Sequence, residues 1–371
     1  MAKGNGAKMA IRKEETMDKI EEIKKKAEYC LNCKVKPCQK GCPLGNDIPG
    51  FISKIKEGDY EAAYDILQET TVLPAICGEI CPHGKQCEAR CVRGIKGEPV
   101  QIGDLEAFVG YYANEHKLKI KKLEGDKIEK IAVIGSGPAG LTVATHLAQR
   151  GYNVTIYEKE RLPGGVLSYG IPEFRLKREV IKDTIDKVID LGVKIKTNTE
   201  VGKDISLTGL KEQYNAIFFS IGSNIPAKMK IDGEDLEGVF GGNELLQKSN
   251  HPDYTNKKVV VIGGGNVALD IARTAKRLGA KSVTVIYRRA EEQMTALPKE
   301  IEHAKQEGIE FIYKTKMIKI LGNEKVEQIE CIKAKLEQKE GETRPYPVDI
   351  EGSNYHMDAD YVIMAIGSRT R

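Results

Sequence analysis

Residues 131–158 carry the pattern that most limits what this chain can fold into. A short apolar run, Ile131–Ile134, is followed by the turn Gly135-Ser136-Gly137-Pro138-Ala139-Gly140, a helical stretch Leu141–Arg150, and a second apolar run Val154–Tyr157 ending at Glu158. Together these make a complete βαβ unit with a glycine fingerprint. Gly135 permits the tight turn, Gly137 lets backbone N–H groups approach a pyrophosphate at the helix N-terminus, and Gly140 lets helix and strand pack closely. Glu158 lies at the roughly twenty-residue offset where an acid accepts hydrogen bonds from a ribose hydroxyl. The competing reading is an ordinary glycine turn in an α/β core, and the terminal acid weighs against it.

A second unit of the same kind starts at Val259–Ile262 and continues through Gly263-Gly264-Gly265-Asn266-Val267-Ala268, a helix to Leu278 and a strand Val283–Tyr287. Ala268 fills the third small position, which the fingerprint allows. Where the first unit ends in glutamate, this one ends in Arg288-Arg289. An acid there selects NAD, whereas guanidinium groups suit a 2′-phosphate and hence NADPH; plain exposed charge is the alternative. Between the units, Leu162–Leu176 is so rich in glycine and proline that it predicts an irregular loop, lying against a flat cofactor or merely crossing the surface. Gly165, Leu167, Tyr169 and Gly170 are its candidate contacts. Lys177–Leu191 reads as a helix, Tyr214–Ile221 as a strand, the Gly/Asp-rich segment Asn224–Gly242 as a domain crossing, and Asp360–Ile366 as a further strand before Gly367.

The N-terminal third is of another kind. Of 9 cysteines, all but Cys331 lie between Cys30 and Cys91, and no signal-peptide core precedes them, which favours metal or cluster ligation over disulfides. A helix over Thr16–Tyr29 leads into Cys30-x-x-Cys33, Cys38 and Cys42-Pro43; its Lys/Glu run, Arg12–Lys26, reads as a solvated face. Pro49–Gln68 reads as helical, and Cys77, Cys81-Pro82, Cys87 and Cys91 follow, then Glu106 in a helical stretch to His116. Zinc also takes four thiolates, and Cys38/Cys42 and Cys77/Cys81 could pair as knuckles, but the prolines and uneven gaps fit [4Fe–4S] ligation better. His83 reads as a solvated loop residue.

Hydrophobic residues at 40% and charged residues at 30% describe a globular chain, and its net charge of +4 arises from 58 basic and 54 acidic residues mixed along it. No face is announced for nucleic acid or membrane, and no apolar segment approaches the roughly 20 residues of a span, so a cytoplasmic location is expected.

The segments LNCKVKPCQKGCPLGNDIPGFI, LPAICGEICPHGKQCEARC, VIGSGPAGL, GGVLSYGIPEFRL and VIGGGNVALD resemble the small (β) subunit of NADPH-dependent glutamate synthase and its relatives. Those relatives include part of dihydropyrimidine dehydrogenase and the large subunits of NADH-dependent ferredoxin:NADP oxidoreductases. The resemblance covers nearly all of the chain. It implies an α/β protein with an N-terminal α-helical iron–sulfur domain (residues 1–125), a Rossmann-like FAD-binding domain (126–240), and a Rossmann-like NADPH domain (241–371) inserted into the FAD domain. It implies one [4Fe–4S] cluster on Cys30, Cys33, Cys38 and Cys91, and a second on Cys42, Cys81, Cys87 and Glu106, with Cys77 structural. FAD would sit on the first βαβ unit, the loop from Gly164 would flank its ring, and NADPH would sit on the second. The activity implied is electron transfer between NADPH, FAD and the clusters, with no side chain as acid or base. The implied partner is a separate large glutamate synthase-type subunit or a ferredoxin-like carrier. A ferredoxin:NADP reductase, an electron-bifurcating subunit and a sulfide dehydrogenase-type subunit would share every motif. A zinc-stapled binding or assembly module is the reading of another class. In the resembled flavoproteins the chain returns to the FAD domain after the strand that here ends at Gly367, so residues 1–371 are expected to be incomplete as an enzyme. With Cys331 alone beyond Cys91, no cysteine pair is available beside a flavin, and disulfide reduction is not expected.

Overall fold

The computed structural model describes residues 18–248, 250–338, 341 and 344–370. They divide into two compact units: one runs to Ser168 and resumes over Glu173–Ser220, and the other holds Tyr169–Pro172 and the chain from Ile221 onward. The segment Asn224–Gly242, read from its composition as a domain crossing, lies within the second unit, where its strands pair.

The first unit opens with helices alone: α1 (residues 18–28), α2 (Pro37–Gly41), α3 (Ile48–Glu57), α4 (Tyr60–Gln68), α5 (Pro74–Ile80) and, after three 3₁₀ turns, α6 (Ile102–Glu115). Residues 16 and 17 of the expected first helix lie outside the described residues. The single helix expected over Pro49–Gln68 is two. Gly58, at φ 79°, ends α3 in the left-handed conformation that glycine adopts without a Cβ penalty, and Asp59 starts α4 by accepting a hydrogen bond from Ala62 N at 3.0 Å. The apolar faces meet in a core that includes Phe51, Ile52, Ile55, Leu67, Leu105, Val109 and the thiol of Cys87. α5 and α6 lie unusually close. A Cβ added at Gly78 would fall 2.3 Å from Ala107 N, and one at Gly110 would fall 2.3 Å from Ala75 N. Glycine facing alanine therefore sets the separation of the two helices that carry Cys77 and Glu106.

The same unit continues as β1 (Lys130–Ile134), α7 (Pro138–Gln149), β2 (Asn153–Tyr157), α8 (Val166–Tyr169), α9 (Arg178–Asp190), β3 (Lys194–Lys196), α10 (Leu207–Gln213) and β4 (Ala216–Phe219). Its parallel sheet has the order β3-β2-β1-β4. The edge strand β4 leaves Phe218 and Phe219 exposed. α8 was not expected: Gly164 and Gly165, at φ 115° and 55°, turn the chain into one turn of helix, so the stretch after Glu158 is partly regular.

The second unit holds β5 (Ile225–Pro226), β6 (Val239–Gly241), α11 (Gly242–Lys248), β7 (Lys258–Ile262), α12 (Asn266–Arg277), β8 (Ser282–Tyr287), α13 (Pro298–Gln306), β9 (Glu310–Tyr313), β10 (Thr315–Leu321), β11 (Gln328–Glu337), β12 (Tyr346–Asp349), β13 (Tyr355–Asp358), β14 (Tyr361–Met364) and β15 (Ser368–Arg369). A parallel sheet of order β6-β14-β7-β8-β9 forms its centre. An antiparallel sheet, in which β11 pairs with β10, β12 and β13, is an addition the sequence reading lacked. No helix among the described residues is long and apolar enough to cross a membrane.

Inside the first unit, Lys187 of α9 lies 4.8 Å from the ring centroid of Tyr64 on α4 and donates to its hydroxyl at 3.5 Å. The ring favours the ammonium, but burial outweighs it and pushes the lysine down to about 8, with Asp183 opposing. In the unfolded chain a lysine titrates near about 10.4, so between those values the unfolded state binds a proton that the folded state has released, and stability rises with pH. Melting curves of wild type and Lys187→Met should therefore diverge between about pH 8 and pH 10, with wild type gaining on the variant as pH rises. Parallel curves would show that Lys187 keeps an ordinary environment.

Candidate functional site

Folding sorts the clustered cysteines into two neighbourhoods. Cys30, Cys33, Cys38 and Cys91 line one cavity together with Pro37, Ile48, Ile52, Val100 and Ile102. They arrive from the end of α1, the turn before α2, α2 itself and the residue closing the second 3₁₀ turn. Burial pushes the Cys38 thiol up to about 11, and the neighbouring Cys30 and Cys91 add to the effect. Val100 N donates to the Cys91 sulfur at 3.4 Å.

The second neighbourhood surrounds Cys87, whose thiol burial raises to about 12 and which also feels Glu88, Glu106 and Cys42. Cys77 is hydrogen-bonded to Cys81, the residue that closes α5, and this contact, then burial, raises it well above the usual thiol range. Glu106 projects from α6 and is 5% exposed. Burial holds its carboxyl well above the usual carboxylate range, Cys77 adds to this, and a hydrogen bond from Asn46 Nδ2 at 3.3 Å opposes it. Neither neighbour is a cation. A buried acid without a positive partner is costly, and a metal centre is one way to satisfy it.

The donor set fits an iron–sulfur cluster. Cys30, Cys33, Cys38 and Cys91 surround one shared cavity. In a cluster each thiolate ends on its own iron, so the ligands stand apart around such a cavity.

The glycine turns have a common construction. In the first sheet β1 connects through β2 to β3 on one side while β4 joins on the other, and in the second β7 leads to β8 and β9 while β14 lies opposite. Each turn thus sits where the strand order reverses, at the C-terminal end of its strand, the usual ligand crevice of open α/β sheets. Gly135 has φ 97°, and a Cβ there would lie 2.4 Å from Ser220 O just beyond β4; Gly263 has φ 146°, and a Cβ would lie 2.3 Å from Ala365 O just beyond β14. A Cβ at Gly140 would lie 2.0 Å from Gly135 O. Gly137 differs: it caps α7 at φ −65°, and a Cβ there would meet nothing within 4 Å. Pro138 and Ala139 form the first helical turn, where proline lacks a donor that the helix would leave free anyway.

Glu158 is buried at the end of β2. Its Oε2 accepts from Ser136 N at 2.9 Å and from Ser136 Oγ at 2.5 Å, and its Oε1 accepts from Glu160 N at 3.0 Å. The acid therefore braces the turn through Ser136, which in turn accepts from Gly164 N at 3.0 Å. A Cβ at Gly165 would fall 2.8 Å from Gly137 Cα, so the segment ahead of α8 lies against the turn, and Leu167 is buried. Tyr169 and Gly170 belong to the second unit.

In that unit Gly265 caps α12, Ala268 is fully buried, and Asn266 Oδ1 accepts from Leu297 N at 3.0 Å. At the end of β8, Arg288 is exposed, whereas Arg289 donates through Nε to Pro345 O at 2.9 Å. Arg344 donates to Gln293 O and, at 3.4 Å, to the Tyr287 hydroxyl, so it reaches the end of β8 as a cation that the sequence reading missed. Asn46, Thr70 and Thr71 beside Glu106 were missed as well, since they belong to no motif.

Residues 8–118 match the family described as dihydropyrimidine dehydrogenase domain II, 4Fe-4S cluster, and residues 129–371 match pyridine nucleotide-disulphide oxidoreductase. The glutamate synthase [NADPH] small chain of Escherichia coli (strain K12) is 33% identical over 365 residues, covering 94% of this chain and 77% of that one. The NADP(+)-dependent formate dehydrogenase subunit beta of Moorella thermoacetica is 36% identical over 361 residues, covering 89% of this chain and 50% of its own. The chain thus spans about half the length of some of the curated relatives it matches. Among solved structures, FprA of Mycobacterium tuberculosis in complex with NADPH shares the fold at TM-score 0.59 and 22% identity, over 66% of this chain and 72% of that one.

The glycines make a prediction that separates folding from binding. Gly137→Ala should melt with the wild type yet retain less FAD, because its methyl enters open space at the helix N-terminus. Gly140→Ala should lower the melting temperature of the flavin-free protein, since its methyl meets backbone. Equal melting of the two variants without flavin would refute this division of roles.

Proposed function

We propose that this chain, which belongs to the pyridine nucleotide-disulphide oxidoreductase family and carries an N-terminal 4Fe-4S domain, is the electron-transfer unit of an NADPH-dependent oxidoreductase of the glutamate synthase small-chain type. The observation that carries the reading is the combination within one chain: two strand–glycine–helix turns at switch points of separate parallel sheets, preceded by a cavity lined by four thiols.

In this reading the N–H groups of α7 from Gly137 onward, freed of side-chain cover, receive the FAD pyrophosphate, and Glu158 accepts from the ribose. Gly165 and Leu167 line the flavin ring. Gly263, Gly265, Asn266 and Ala268 place the NADPH pyrophosphate at the N-terminus of α12, and Arg288 and Arg289 hold the 2′-phosphate. Cys30, Cys33, Cys38 and Cys91 hold one [4Fe–4S] cluster; Cys42, Cys81, Cys87 and Glu106 hold a second, and Cys77 stays off the iron. A flavin held there would supply the chemistry that joins a two-electron donor such as a nicotinamide to one-electron carriers. The side chains themselves bind, orient and exclude water. The acceptor is a separate large subunit of glutamate synthase type, with a ferredoxin-like carrier as the second candidate. Relatives named as the β subunits of a formate dehydrogenase and of an NADPH-Fe(3+) oxidoreductase support a role within a larger assembly.

The cofactor preference tests the second turn. Arg288→Ala should weaken NADPH binding by about 1.5–3 kcal/mol for each charged hydrogen bond lost, roughly ten- to a hundredfold, with NADH little changed. Arg288 is the cleaner probe, because Arg289 also anchors the backbone at Pro345. An unchanged ratio of NADPH to NADH efficiency in dye reduction, for this variant and for Arg289→Ala, would place the phosphate elsewhere.

The thiols give a second test. Cys331 is fully buried on β11 and burial pushes it up to about 12. NADPH-driven reduction of a small disulfide should therefore be negligible beside dye reduction, and Cys331→Ser should leave dye reduction intact. Disulfide turnover that matches dye turnover would contradict the proposed chemistry.

A further inference from the structure

The second thiol neighbourhood contains a hydrogen-bonded chain that none of the sequence motifs accounts for. Asn46 sits four residues after Cys42, between the turn at Gly45 and the start of α3, and it is 3% exposed. Its Nδ2 donates to Glu106 Oε1 at 3.3 Å, across sixty positions of sequence. Its Oδ1 accepts from the hydroxyl of Thr70, just past α4, at 2.5 Å. Thr71, the next residue, accepts from Leu73 N at 3.3 Å and lies 3.7 Å from the Cys77 sulfur.

The amide has two ends, and the chain of donors decides which faces the acid. Thr70 gives its proton to Oδ1, so the NH₂ group is left to point at the carboxylate. A flipped amide would set oxygen against oxygen. The network therefore leaves one carboxyl oxygen, Oε1, already engaged. Asn46 also bridges three elements, because the loop from Cys42, the end of α4 and α6 meet through its side chain.

We propose that Asn46, oriented by Thr70, is the positioning residue that presents Glu106 to the second iron–sulfur cluster, occupying Oε1 so that Oε2 is the oxygen that meets iron. This rests on the reading of Glu106 as a ligand. A hydrogen bond into an anionic ligand stabilises the more negative, reduced form of a cluster, so removing it moves the midpoint potential downward.

The experiment is an EPR-monitored redox titration of the holoprotein, with iron and flavin content measured alongside, for wild type, Glu106→Ala, Asn46→Ala, Asn46→Asp, Thr70→Val and Thr70→Ser. Glu106→Ala identifies which cluster signal belongs to the carboxylate-ligated site. Asn46→Ala, Asn46→Asp and Thr70→Val are expected to keep their iron and flavin but to change the line shape of that same signal and lower its midpoint potential. The other cluster should keep its wild-type signal, and Thr70→Ser, which retains the hydroxyl, should restore the wild-type value. Thr70→Val carries the test on its own if Asn46 variants fail to fold, since it removes one hydroxyl and keeps the shape. If Glu106→Ala alters one cluster while Thr70→Val and any folded Asn46 variant leave that cluster's signal and midpoint unchanged, the positioning role is wrong and the ligand reading stands. If Glu106→Ala alters neither signal, the ligand reading itself falls and takes the inference with it.

Discussion

A carboxylate closed off from water among thiols is the constraint on which the N-terminal half of the first unit depends. Glu106 and Cys87 are both buried, and the groups acting on Glu106 are another thiol and an amide. Such a donor set opposes folding unless something positive binds it. Three 3₁₀ turns join α5 to α6, and Cys87 and Cys91 flank the second of them. In the proposed reading, ligation by these groups is coupled to folding, as in other small domains that close around a metal. The close approach of α5 and α6 at Gly78 and Gly110 makes this possible, because a wider separation would withdraw Glu106 from the neighbourhood of Cys77.

The two glycine turns solve one steric problem twice. In each, the carbonyl beyond the strand on the other side of the switch point, Ser220 O or Ala365 O, occupies the space a side chain would need at the first glycine. The helix after the turn can then begin directly above the strand end with its N–H groups uncovered, which is where a pyrophosphate is held by backbone and helix dipole together. What distinguishes the two sites is the end of the second strand. Glu158 folds back to Ser136, whereas the Tyr287 end gathers Arg288, Arg289 and Arg344.

Much of this was legible in the sequence because the informative residues are local. The runs Gly135–Gly140 and Gly263–Ala268 are recognisable because their spacing is local, although the carbonyls that exclude a side chain at Gly135 and Gly263, Ser220 O and Ala365 O, come from distant strands. The cysteine spacing pointed to ligation for the same reason. What escaped was non-local or masked by composition. Nothing near Asn46 reveals that its partners are Thr70 and Glu106, and Arg344 lies far along the chain from the strand end it reaches. The break at Gly58 hid inside a continuous apolar pattern, since α3 and α4 share one core and their faces run in phase. The first part of β11 alternates, with Ile329 and Cys331 buried between the less buried Gln328, Glu330 and Ile332, and that period of two was there to be read.

The account stands or falls on electrons from NADPH reaching clusters in the N-terminal domain. The most direct measurement is an anaerobic titration of the purified protein with NADPH, followed by flavin absorbance and low-temperature EPR, with dithionite added last and metal content determined on the same sample. The account predicts iron with acid-labile sulfide, bleaching of the flavin by NADPH, and two distinguishable cluster signals, at least one of which NADPH elicits. Zinc in place of iron would contradict it, as would cluster signals that dithionite elicits and NADPH does not.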